Sequence, residues 1–126
     1  GILKYCLKNN VSIEATCKST AKGYVRWIAS ELSSYRKKII LLGIPAPQKL
    51  KNADEKNSQR LSVIHSFNKA LSEECSEIGI TFADVLRLTS KEDGFNNGIW
   101  MSDNVHLKPK AIHEIISHYL IHSPAH

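Results

Sequence analysis

Apolar residues recur at spacings of three and four along residues 12–36, at Ile13, Cys17, Ala21, Tyr24, Ile28, Leu32 and Tyr35. That period predicts a long amphipathic helix, with Ser12 as its cap and Trp27 packed at its edge. Gly23 weakens the helix slightly or lets another backbone come close. A second stripe of Leu61, Ile64, Phe67 or Asn68, Leu71, Cys75 and Ile78 predicts a helix over 58–77, which Gly79 ends in the left-handed conformation. A third, over 109–121, opens at Pro109 and has Ala111, Ile112, Ile115, Ile116, Tyr119 and Leu120 as its core face. Residues 2–10 read as a short helical turn that stops at Asn9-Asn10. The pattern changes at Ile39-Ile40-Leu41-Leu42-Gly43-Ile44, which is apolar throughout, as in a strand buried on both faces of a parallel sheet. Pro45-Ala46-Pro47 then forces the chain out of the sheet. Residues 80–85 read as another strand and residues 48–56 as a polar surface loop. Residues 89–102, with Gly94, Asn96, Asn97 and Gly98, form a long loop of the kind that is functional or mobile.

The order helix, strand, helix, strand, loop, helix predicts an α/β fold with a parallel sheet and helices on its faces, a three-layer α/β/α sandwich. Two strands are too few for such a sheet to stand alone. Together with a start at Gly1 in place of methionine, this leads to the expectation that residues 1–126 are the C-terminal portion of a single larger domain. An incomplete sheet leaves an edge for the missing N-terminal segment or for a second copy of the chain. The composition, 42% hydrophobic and 23% charged, is that of a globular chain and not of a disordered one. No apolar run is long enough for a membrane span, and no basic start leads into an apolar stretch, so neither a membrane partner nor a signal peptide is expected. The net charge of +5 is spread along the chain, and its one tight cluster, Arg36-Lys37-Lys38, follows a predicted helix. No nucleic-acid partner is expected. Cys6, Cys17 and Cys75 are odd in number and contain no CxxC pair, so no cysteine metal site is expected. They fit a reducing compartment, and the chain reads as cytoplasmic.

The candidate chemistry lies just before the last helix, in Trp100-Met101-Ser102-Asp103-Asn104-Val105-His106-Leu107-Lys108-Pro109. In open parallel sheets ligands bind beyond the carboxyl ends of the strands, where this loop and the Pro45–Pro47 exit both fall. A carboxylate beside an imidazole there is a natural general base, since it orients the ring and stabilises the imidazolium. The plainer reading is that Asp103 and His106 only cap the helix. Trp100 and Phe95 either line a substrate groove or plug the loop against the core. His118 and His122 are four apart, with His113 or His126 as further candidates, but they read as a polar helix end, and no metal is expected.

Here the chain resembles the SGNH (GDSL-type) hydrolases, whose last motif block is an Asp-x-x-His ahead of the final helix. Asp103-Asn104-Val105-His106-Leu107 matches that block, and residues 39–47 are similar to the family's penultimate strand and its exit. The resemblance implies a flavodoxin-like α/β/α fold and a serine ester hydrolase that needs no cofactor. Its substrates would be small-molecule or glycan esters such as O-acetylated carbohydrate. It also implies His106 as the base and Asp103 as the residue orienting it; Trp100, from the reading of the loop itself, is the expected substrate contact. The family's Gly-Asp-Ser nucleophile block and its Gly-x-Asn-Asp block are absent from the sequence. The expectation is therefore a hydrolase whose serine comes from sequence before Gly1, with this chain inactive alone. The alternative is a non-catalytic SGNH-like binding or structural module of a larger bacterial protein.

Overall fold

The computed structural model describes residues 1–103 and 106–122, with residues 36, 37 and 120–122 described by backbone alone. The side chains of Arg36, Lys37, Leu120 and His122, and all of His126, therefore lie outside the described residues. The fold is mixed α/β and mostly helical. In chain order it runs α1 (Ile2–Asn9), α2 (Ile13–Glu31), a 3-10 helix (Ser33–Lys38), β1 (Ile40–Leu42), α3 (Asp54–Ile78), β2 (Thr81–Ala83), α4 (Val85–Thr89) and α5 (Pro109–His122).

Local chemistry sets the ends of these elements. Ser12 Oγ accepts the Ala15 N–H at 3.2 Å and starts α2. Asn10 (φ 52°) and Gly79 (φ 89°) end α1 and α3 in the left-handed conformation. Helix α3 begins four residues before the expected 58, because Asp54 and Glu55 in its first turn complement the helix dipole. Both strands are shorter than expected. The Ile44 N–H goes to Asn68 Oδ1 at 2.7 Å instead of to a strand, and Asp84 Oδ1 accepts the Arg87 N–H at 3.0 Å, turning residues 85–89 into α4. The sequence reading missed α4.

β1 and β2 pair in parallel, with Ile40 opposite Thr81, Leu41 opposite Phe82 and Leu42 opposite Ala83. On one face Leu41 joins Ala21, Val25 and Ala29 of α2 and Ala70, Leu71 and Cys75 of α3. On the other, Ala83 and Ile40 pack with Ile115 and Tyr119 of α5. Helices therefore lie on both sides of the two strands. Two expectations for α2 need correction. Its buried stripe uses Val25, whereas Tyr24, Leu32 and Tyr35 are exposed, and Trp27 is 61% exposed instead of packed at an edge. A Cβ on Gly23 would meet nothing, so no backbone approaches it closely. In α5, Ile112 and Ile116 are exposed beside buried Ala111 and Ile115.

Past β1, residues 44–50 continue in no regular element and without a strand partner, and side chains take the place of one. Asn68 brackets Ile44, accepting its N–H at 2.7 Å and donating to its carbonyl at 3.0 Å. Thr89 Oγ1 accepts the Ala46 N–H at 2.8 Å, and Asn96 Nδ2 donates to the Ala46 carbonyl at 3.0 Å. Asn57 brackets Leu50 in the same way, at 2.9 and 2.7 Å. Buried backbone groups must be paired somewhere, and here polar side chains of α3, α4 and the long loop pair them. Asn57, Asn68 and Thr89 are accordingly buried.

The three cysteines are free thiols and all buried. Burial, and secondly the Glu74 carboxylate, push the Cys75 thiol from an ordinary 9.0 up to about 11. Unfolding lets this thiol ionise from about pH 9, while the folded state holds its proton to about pH 11. Stability contributed below pH 9 is thus lost as pH rises through that window, by at most about 2–3 kcal/mol. Urea melts at pH 8, 10 and 11 should show the loss, and Cys75→Ala should flatten the slope. An equal slope in both proteins would refute the assignment.

Candidate active site

Residues 100–102 pair with residues 106–108 as the two arms of a narrow hairpin neck. Lys108 N–H donates to the Trp100 carbonyl at 2.8 Å, Met101 bridges Leu107, and Ser102 N–H donates to the His106 carbonyl at 2.8 Å. Met101 is buried and anchors the neck. Asp103 and His106 occupy the tip; Asn104 and Val105, between them, lie outside the described residues.

Both carboxylate oxygens of Asp103 serve His106. Oδ1 accepts the His106 backbone N–H at 2.7 Å, and Oδ2 lies 2.7 Å from the ring Nδ1. The first bond fixes the backbone of the turn and the second fixes the plane of the ring. One side chain therefore holds both the backbone and the ring of His106, and the N–H it accepts belongs to the turn before α5 and not to the first turn of that helix. With Nδ1 engaged, the nitrogen available to a substrate or a nucleophile is Nε2, the arrangement needed for proton abstraction. The Ser102 hydroxyl donates to the His106 carbonyl at 3.1 Å, so it is committed to the backbone and not aimed at the ring.

The pair stands on the surface, with Asp103 54% and His106 73% exposed at the side chain. Two concavities among the described residues lie elsewhere: one of about 700 Å³ runs between α1 and the start of α3, and another of about 430 Å³ lies under Asp84, Arg87, Glu114 and His118. Neither includes Asp103, His106 or Trp100 in its lining. Trp100 is half-buried, and its ring carries Lys110 Nζ 5.3 Å from the centroid. Phe95 is buried and plugs the loop, with Lys49 Nζ over its ring at 5.7 Å. Among the described residues no three His, Cys, Asp or Glu side chains gather as a metal site. Likewise no helix among them is long and apolar enough to cross a membrane.

The sequence reading missed how firmly the long loop is held. Asn96 and Asn97 tie it to Ala46, Pro47, Leu88 and Thr89 at 2.8–3.0 Å. Gly94, Asn96, Asn97 and Gly98 signalled a long loop but not its partners. No family model, no curated protein and no solved structure matches this chain.

Proposed function

We propose that this chain is the base-bearing part of an SGNH-type serine ester hydrolase, completed by sequence upstream of residue 1. The observation that carries the reading is the pair of 2.7 Å bonds from Asp103 to the backbone and to the ring of His106. In the complete protein His106 Nε2 takes the proton of a serine hydroxyl as its oxygen adds to an ester carbonyl. The imidazolium then returns that proton to the leaving alcohol, and the same nitrogen activates the water that releases the acyl group. Asp103 keeps the tautomer and stabilises the imidazolium. Trp100, on the same hairpin, offers an apolar wall to the substrate, which is a small-molecule or glycan ester.

The exposure of the pair favours division of labour between segments. In open water the electrostatic stabilisation of a tetrahedral oxyanion is weak, and one donor of an enclosed oxyanion hole is worth roughly 10²–10³ in rate. The upstream segment supplies both the serine and the cover. The reading extends to a three-layer α/β/α sandwich for the complete domain. A short-chain aryl ester offered to the full-length protein tests it: turnover is expected, and His106→Ala should abolish it. Unchanged turnover in the variant rules the mechanism out.

The same exposure also favours a second reading, a non-catalytic module that binds glycans. It predicts no esterase activity in the full-length protein, with equal glycan binding by the wild type and by a variant lacking Asp103 and His106.

A further inference from the structure

The concavity of about 430 Å³ opens beyond the carboxyl end of β2, with α4 and α5 as its walls. Asp84, the first residue after β2, lines it, and ligands of parallel sheets gather at that edge. Neither Asp103 nor His106 lines it, so it stands apart from the candidate base. Small-molecule sites run from about 300 Å³ upward and combine apolar walls with a few placed polar groups. This one has both.

Its walls are held in place from beneath. Ala83 and Ile115 are buried in one cluster, with Leu88 and Tyr119 packed against them. The Tyr119 hydroxyl accepts the Asp84 N–H at 3.2 Å and ties α5 to the end of β2. Asp84 Oδ1 accepts the Arg87 N–H at 3.0 Å, which fixes the turn that carries Arg87. His118 rests edge-on against the Tyr119 ring, with centroids 5.1 Å apart. Ala83, Leu88 and Ile115 supply the apolar part of the lining.

Opposite charges stand on the two walls. Arg87 belongs to α4 and Glu114 to α5, and neither side chain has a hydrogen-bond or ion-pair partner among the described residues. They do not pair with each other either, although both line the same space. An anion alone would face the carboxylates of Asp84 and Glu114, and a cation alone would face the Arg87 guanidinium. A zwitterion suits both walls, with its carboxylate on the guanidinium fork and its ammonium on Glu114. The apolar lining then takes an aliphatic side chain. We propose that this concavity binds a free α-amino acid with an aliphatic side chain, held between Arg87 and Glu114.

Titration of L-leucine into the full-length protein, followed by calorimetry and methyl NMR, tests the proposal. Binding is expected with a Kd on the order of 1 mM, and the Leu88 and Ile115 methyl signals should move. Isocaproate lacks the ammonium and isoamylamine lacks the carboxylate, and each should bind at least about tenfold more weakly. Arg87→Gln and Glu114→Gln should each weaken leucine binding by a similar factor. Both side chains are exposed, so both variants should keep the Tm of the parent. Methyl signals that stay still at ~20 mM leucine would overturn the proposal. So would isocaproate binding as tightly as leucine, which marks an anion site, or isoamylamine doing so, which marks a cation site. Leucine binding that both variants leave unchanged would overturn it too, because the contact would then lie elsewhere. The hydrolase reading is not a premise here. An active esterase that ignores leucine sinks only this site, and an inert protein that binds leucine sinks only the hydrolase.

Discussion

Turnover of an aryl ester by the full-length protein is expected to fall about 10³–10⁴-fold on Asp103→Asn, with KM little changed. The reason is that Asp103 acts through both oxygens. An asparagine can keep its carbonyl oxygen on the His106 backbone N–H, so the turn survives and the fold is untouched. Its amide nitrogen then faces Nδ1 as a donor where the carboxylate was an acceptor. The ring must answer by placing its proton on Nε2, which can no longer receive one from a hydroxyl. His106→Ala should cost about as much, and the double variant no more than the larger single loss, because residues that act as a unit are non-additive. Additive losses would mean that the two side chains work apart, and the assignment of Asp103 as a positioning residue would fall.

Gly43→Ala is expected to destabilise the fold by roughly 3–5 kcal/mol, read as a shift in the urea midpoint. The cause is space and not backbone freedom, since Gly43 is not among the residues with positive φ. A Cβ there would sit 2.5 Å from Asn68 Oδ1 and 2.7 Å from Phe82 Cζ. Phe82 is half-buried and packs against the core, and Asn68 sits closer to the added atom, so Asn68 is the side chain displaced. It then releases both backbone groups of Ile44, whose bonds to Asn68 are part-buried. Asn68→Ala should cost a similar amount for the same reason, and the double variant much less than the sum, since the clash and the bracket share one side chain. A loss below about 1 kcal/mol for Gly43→Ala would show that the exit segment yields easily and that the bracket contributes little.

The helices were legible because burial writes a period into them. Cys17, Ala21, Leu71, Cys75, Ala111 and Ile115 all fall where spacing alone puts them, and all are buried. Tyr24 and Val25 show the limit of that signal. Both fit a three-or-four spacing, and only the side on which α3 packs decides that Val25 goes in. Polar residues were harder still. Asn57, Asn68, Thr89 and Asn96 look like surface or turn residues to any hydropathy argument, yet they pair the backbone from Ile44 to Leu50 and cut β1 short. The Asp103–His106 contact was legible from spacing, because three residues is the reach at which a carboxylate closes on its own turn. The hairpin beneath it was not, since nothing in the order of Trp100, Met101 and Leu107 announces a two-stranded neck.

Both bonds that aim the imidazole are confined to four consecutive residues. The orientation of the ring is therefore self-contained, while its position in space is delegated to Met101 and the neck. Such a tip can be carried like a tool on an arm. Changes elsewhere in the chain alter where it points without dismantling it, and the same short string could be set on a different scaffold with its internal geometry intact.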